Sequence, residues 1–261
     1  MKKILLLMLI AVYAISLELT LGVVPQQSPL KLSKKWIKVT DYLFKETNIK
    51  VIFKTEKSIQ KFEQELYAGN YDLSYMNPYH FIIAHKTQKY QAFTRANKNI
   101  VGILLAKNKN IDLSPENLTG KTILFPSPNA FAATLLPKLE FKEKLNFDID
   151  KETKVLYVNS HDSVYKGISR DIGLIGGGII RTFNNFLDSE DKDNLHIVYK
   201  TNPYPSHPIA HHPRVSKSDI KKLQQAFLNM PQEIKKILSI QQFKIITSKE
   251  YDVIKKLGIS K

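Results

Sequence analysis

Short apolar runs and amphipathic stretches alternate along most of the chain. Residues 19–24 read as a strand, and the polar turn Pro25-Gln26-Gln27-Ser28 follows it. Leu32, Trp36, Val39 and Leu43 then recur at helical spacing. Val51-Ile52-Phe53 predicts the next strand, and Ile59, Phe62 and Leu66 the next helix, which Gly69 and Asn70 end. A strand over 71–76 runs into Asn77-Pro78, a cap followed by a first-turn proline. The helix it opens carries Phe81, Ile82 and Ala84.

Residues 101–106 read as a strand with no clear helix before it, which predicts a crossing into a second lobe. The second lobe repeats the rhythm. Strands are expected over 122–125, 155–158 and 172–175, with helices from Ala130, from Asp162 and, led by glycines, near Ile179. A strand over 196–199 is expected to return to the first lobe. Helices over 220–228, 234–240 and 250–257 complete the pattern. Alternating β and α units predict an α/β fold, with parallel or mixed sheets covered by helices on both faces. Two such lobes joined by two crossings enclose a cleft, which residues just beyond strand ends would line.

The first residues bear on compartment. Lys2 and Lys3 precede an apolar run from Ile4 to Ile15, with Ala14 and Ser16 placed like the small residues of a cleavage site. Residues 1–16 are therefore expected to be a cleaved export signal, and the run is too short to span a bilayer comfortably. The domain division expected is 17–100 plus 201–261 for one lobe and 101–200 for the other. The formal net charge is +15 and there is no cysteine. Disulfides, thiolate metal sites and a lipid-anchored cysteine are excluded. Export argues against nucleic acid as the partner of so basic a chain. The lysine pairs (Lys34-Lys35, Lys221-Lys222, Lys235-Lys236) lie along predicted helices, as on a solvated face.

Candidate chemistry gathers at four strand ends. At the first, Gln26 could bond a ligand or serve only a turn. At the second, Asn77 can cap while Tyr75 or Tyr79 offers a hydroxyl, or the tyrosines simply pack. The third is the stretch 123–137, Ile-Leu-Phe-Pro-Ser-Pro-Asn-Ala-Phe-Ala-Ala-Thr-Leu-Leu-Pro. Asn129 reads as the cap of a helix opening on Ala130, Phe131 and Ala132, whose bare N–H groups, with Ser127 nearby, could hold an anion. The fourth is Ser160-His161-Asp162, where Ser160 or Asp162 caps and His161 projects into the cleft. The trio resembles triad residues only superficially, since adjacent residues seldom converge as nucleophile, base and orienter, and no Gly-x-Ser-x-Gly elbow is present. Gly176-Gly177-Gly178 lacks dinucleotide-site spacing and reads as close backbone approach. Arg181 could reach an anion bidentately. His207, His211 and His212 raise zinc, but without a neighbouring carboxylate or thiolate a structural or ligand-lining role ranks above it. No metal site and no cofactor are assigned.

In this order the segments resemble those of the periplasmic solute-binding proteins of phosphate, phosphite and phosphonate ABC transporters. The likeness runs through Leu21-Gly22-Val23-Val24-Pro25, the strand with Asn77-Pro78-Tyr79, Leu118-Thr119-Gly120-Lys121, the 126–137 loop and helix, and the His161 segment. It implies a type II periplasmic binding protein fold, two α/β lobes with a hinged interlobe cleft. It also implies an oxyanion held at the helix start by Asn129, Ala130, Phe131 and Ala132, with His161 and the Tyr75–Tyr79 region contributing. Better-known members carry Ser-Thr-Ser where this chain has Ala130, Phe131 and Ala132, and acidic groups for an ammonium where it has Gly176-Gly177-Gly178. The expected function is non-enzymatic capture of a small anion (phosphonate, phosphite or related oxyanion) in the periplasm, by a monomer, for an ABC permease. A ligand sensor signalling to a membrane histidine kinase is the alternative, and a hydrolase on Ser160–Asp162 the third reading.

Overall fold

The computed structural model describes residues 18–186 and 189–259. The expected export signal lies outside them.

Two mixed sheets organise the chain. The first is built from β1 (Glu18–Val23), β2 (Lys50–Lys54), β3 (Leu73–Tyr75), β4 (Gln91–Ala96), β10 (Pro208–His211) and β11 (Phe243–Ile245), in the order β11-β4-β10-β3-β1-β2. The second contains β5 (Gly102–Ala106), β6 (Thr122–Phe125), β7 (Lys154–Tyr157), β8 (Ile175–Ile179) and β9 (His196–Lys200), in the order β7-β6-β8-β5-β9. In each, a parallel trio is extended by antiparallel strands. This is the type II arrangement.

The amphipathic stripes fold as their spacing requires. Ser28 accepts a hydrogen bond from the Lys31 N–H and Pro29 occupies the first turn of the helix Pro29–Thr47, which buries Leu32, Trp36, Val39 and Leu43. Ser58 caps Ile59–Tyr67, and Asn77 caps Pro78–Gln88 by accepting from the His80 N–H.

Three expectations need correction. The apolar segment 172–175 is not the strand: Ile172 is 56% exposed in a turn whose Asp171 is left-handed (φ 58°). The strand is β8, with the glycines inside it, and the helix Ile180–Asn184 starts only after them. β9 pairs with β5 as an edge of the second sheet, so residues 201–207 make the return. β4, β10 and β11 were not expected at all. They are short antiparallel strands of mixed composition, such as Pro-Ile-Ala-His, which alternation does not reveal.

The chain leaves the first sheet after Ala96 and re-enters it at Pro208. The two crossings pair once, with Ile100 N–H donating to the Tyr204 carbonyl at 2.7 Å and Tyr204 N–H to Ile100 at 3.0 Å. The core of the first sheet continues across the cleft into Ala130, Phe131, Ala132, Ala133 and Ile179, whereas the second sheet has an apolar cluster on each face.

Candidate functional site

Beyond β6 the chain turns through Pro126-Ser127-Pro128-Asn129 into a widened, π-type turn, Phe131–Leu135, that runs into the helix Leu136–Leu145. Leu135 N–H donates to the Ala130 carbonyl and Leu136 N–H to Phe131, both five residues back. Asn129 is therefore not the cap that its position suggested. The wide turn starts one residue later, behind Ala130, which has no capping side chain. The first-turn N–H groups of Phe131, Ala132 and Ala133 have no acceptor one turn earlier.

Small residues allow this turn to rest on the sheet. A Cβ on Gly177 would lie 2.0 Å from the Ala133 carbonyl oxygen, and one on Gly102 would lie 1.9 Å from that of Ala132. Only bare backbone fits at either place. Ser127 serves the turn itself, its carbonyl accepting from Thr134 Oγ1 at 2.8 Å. The Phe131 ring packs edge-on against Tyr204, with centroids 5.7 Å apart.

The opposite wall comes from the first sheet. Gln26 Nε2 lies 3.1 Å from His207 Nε2, and the His207 ring stacks on Tyr75 at 5.1 Å. The Gln26 carbonyl accepts from the His161 N–H at 3.3 Å. Asn77 Nδ2 donates to the Asn129 carbonyl at 3.0 Å, and Asn129 Nδ2 donates to Glu63 Oε2 at 3.1 Å. The other oxygen of Glu63 is 2.9 Å from His80 Nε2, which is itself 3.1 Å from Asn77 Nδ2. This network fixes the cradle loop from across the cleft. Lys31 adds an ion pair to Asp162 at 2.6 Å.

Inside the enclosure, His161 and His207 are each 1% exposed, and their Nδ1 atoms have no hydrogen-bond partner among the described residues. Burial lowers the pKa of His161 to about 4, against a smaller upward pull from Asp162. Burial also holds His207 well below its ordinary value, with Arg181, His80 and His161 adding to the effect. Both rings are neutral near pH 7, and a neutral imidazole can donate at one nitrogen and accept at the other.

Residues 21–251 match the family model of the ABC transporter phosphonate periplasmic substrate-binding protein. The chain belongs to this family. Its fold is similar to that of the binding protein component of an ABC phosphonate transporter from Pseudomonas aeruginosa, with a TM-score of 0.83 at 17% identity over 93% of this chain and 86% of that one. It is similar too to PhnD1 from Prochlorococcus marinus in complex with methylphosphonate, with a TM-score of 0.82 at 18% identity over 92% and 97% of the two chains. No curated protein sequence matches it. Members of this family of periplasmic binding proteins take small ligands and work with an ABC permease. Among the described residues, no helix is long and apolar enough to cross a membrane.

Seen as a phosphonate-family cleft, the structure gathers Gln26, Asn77, Ala130, Phe131, Ala132 and His161 around a narrow cavity, which Ala133 and His207 also line. Tyr75 and Arg181 line an adjoining space, and Arg181 donates to the Tyr75 hydroxyl. Ser127 braces the turn, Asn129 ties it across the cleft to Glu63 and Asn77, and Asp162 pairs with Lys31. Tyr79 packs edge-on against His80 and does not line the cavity. Ser160 caps the helix His161–Ser169 by accepting from the Ser163 N–H at 3.1 Å. Of the two histidines grouped with His207 in the sequence, His211 continues β10, and His212 packs edge-on to Tyr90 at 5.3 Å. Sequence reasoning missed Glu63; for His207 it ranked a structural or ligand-lining role above zinc, and the ring lines the cavity. Glu63 follows Phe62 on the buried stripe of its helix, and a carboxylate there is a signal that could have been read.

Proposed function

We propose that this protein captures a phosphonate in the interlobe cleft, as an exported monomer, and presents it to its permease. The moving bodies are 17–100 with 201–261 and 101–200, hinged at the Ile100–Tyr204 pair, and residues 1–16 direct export. The phosphonate oxygens sit on the first-turn N–H groups of Phe131, Ala132 and Ala133. His161 donates to one oxygen or accepts from a protonated one, and Asn77 and Gln26 stand beside it. The observation that carries this reading is the meeting of unpaired backbone donors with a buried, unpartnered imidazole. A buried anion needs such donors, because leaving its oxygens unmatched costs several kcal/mol. Absence of hydroxyls at 130–132 leaves recognition of the oxyanion to backbone and imidazole. Ser160, spent as a helix cap, supports binding over hydrolysis.

Isothermal titration and thermal shift with methylphosphonate test it. At 100–1,000 times the dissociation constant, the ligand should stabilise the protein by about 3–4 kcal/mol. Ala132→Asp, which sets a negative charge at the mouth of the turn, should abolish binding while the protein still melts cooperatively. Indifference to methylphosphonate, phosphite and phosphate alike would remove the reading.

A further inference from the structure

The cleft continues past the cradle. Val24 and Gln26 line both the cradle cavity and a neighbouring one. Trp36, Tyr75, Leu32 and Ile240 give the second cavity an apolar wall, and its charged lining residues are Lys35 and Arg181. Lys35 comes from the helix Pro29–Thr47 beside the first sheet, and Arg181 from the helix Ile180–Asn184 beside the second. Both are half-buried.

Among the described residues, neither cation has a carboxylate within ion-pair distance. Lys35 donates to Gln27 Oε1 at 2.8 Å and Arg181 to the Tyr75 hydroxyl. The carboxylate whose charge reaches Lys35 is Asp162, already paired with Lys31 at 2.6 Å. Burial, together with the charges of Arg181 and Lys31, makes it harder for Lys35 to stay protonated. The corner thus holds three cations to one carboxylate. Two of those cations stand on opposite lobes, so closure brings like charges together in a partly dry space.

We infer that this second cavity receives an acidic group carried by the ligand, so that the preferred ligand is a phosphonocarboxylate rather than a simple alkyl- or aminoalkylphosphonate. The inference rests on the cradle holding the phosphonate. A carboxylate there would accept bidentately from Arg181 and take a charge-assisted bond from Lys35, relieving the repulsion that opposes closure. An ammonium would meet two like charges there, with no carboxylate among the described lining residues to offset them.

Titrations of the purified protein with phosphonoacetate, methylphosphonate and 2-aminoethylphosphonate decide it. Phosphonoacetate should bind about 10- to 100-fold more tightly than methylphosphonate, the scale of one or two charge-assisted hydrogen bonds. Lys35→Gln and Arg181→Gln should each shrink that ratio toward one. Melting of the unliganded variants checks that they fold, and Lys35→Gln, at the less constrained position, keeps the test open if Arg181→Gln does not. Methylphosphonate binding with no gain for phosphonoacetate, equal or tighter binding of 2-aminoethylphosphonate, or a ratio unchanged in the variants overturns the inference while leaving the cradle in place. Failure of all three to bind removes the cradle reading and this one with it.

Discussion

His161 sits on the first turn of its helix and is buried, and that burial bears on how the protein responds to acid. The folded protein keeps the imidazole neutral down to about pH 4, whereas the unfolded chain takes up a proton near the ordinary value of 6.5. Its contribution to stability is therefore complete above pH 6.5 and is lost as the pH falls toward 4, by up to about 3 kcal/mol. Melting of the ligand-free protein should show this decline, and His161→Gln should flatten it in part. Buried His207, with His211 and His212, titrates in the same direction and contributes to the remainder. A decline equally steep in the variant would assign the acid sensitivity elsewhere. His161 was legible in the sequence because it lies between a strand and a capped helix. For His207 the sequence offered a structural or ligand-lining role above zinc but no partner, because its contacts with Gln26 and Tyr75 come from segments some 130–180 residues away. Lys35 looked like one of a solvated pair, and nothing local separates it from Lys34.

At the level of elements, the cradle and β8 form one unit. Three adjacent glycines would make a poor strand in isolation, since each is costly to order. β8 persists because neighbours fill the space on both sides. Tyr165 and Val164 pack where Gly178 and Gly176 lack side chains, and the π-type turn covers Gly177. Gly177→Ala sets a methyl 2.0 Å from the Ala133 carbonyl oxygen, which cannot swing away as a side chain could. It should cost at least about 1–3 kcal/mol in chemical denaturation and weaken methylphosphonate binding by displacing the turn. Unchanged stability and affinity would mean that the turn does not need this contact. The glycine run was correctly read as close approach, yet its strand was misplaced. Apolar side chains at 172–175 imitate a buried strand, while a strand whose buried surface is backbone leaves no pattern to read. Helices that carry an apolar stripe were legible as elements: Leu32, Trp36, Val39 and Leu43 marked Pro29–Thr47 without fixing its ends.

Across the whole molecule, polar contacts join the lobes beside the apolar core that continues into the cradle. Lys31 to Asp162, Asn77 to Asn129, Asn129 to Glu63 and Ser239 to Asn185 all span the cleft. The Lys31 side chain is 40% exposed, so its ion pair adds little to global stability, roughly 0–1 kcal/mol. It matters for the balance of open and closed forms. Lys31→Gln should leave the melting temperature nearly unchanged and raise the radius of gyration of the ligand-free protein in small-angle scattering. Its apparent affinity should fall in proportion to the lost closed population. A scattering curve identical to that of the parent would show that closure does not depend on this pair. The two-lobed plan was readable from the rhythm of strands and helices. The contacts that close it were not, because each joins residues with no sequence relation.

The ring of Phe131 leans on Tyr204, which belongs to the paired crossings about which the lobes would turn. A door moves least beside its hinge pin and most at its handle. The cradle, set against the pin through Phe131, would keep its shape throughout the swing, while Lys31 and Asp162, joined across the cleft, would part. Capture then has an order in time: a visitor is first gripped by its oxyanion, and the rest of it is inspected only as the door comes to.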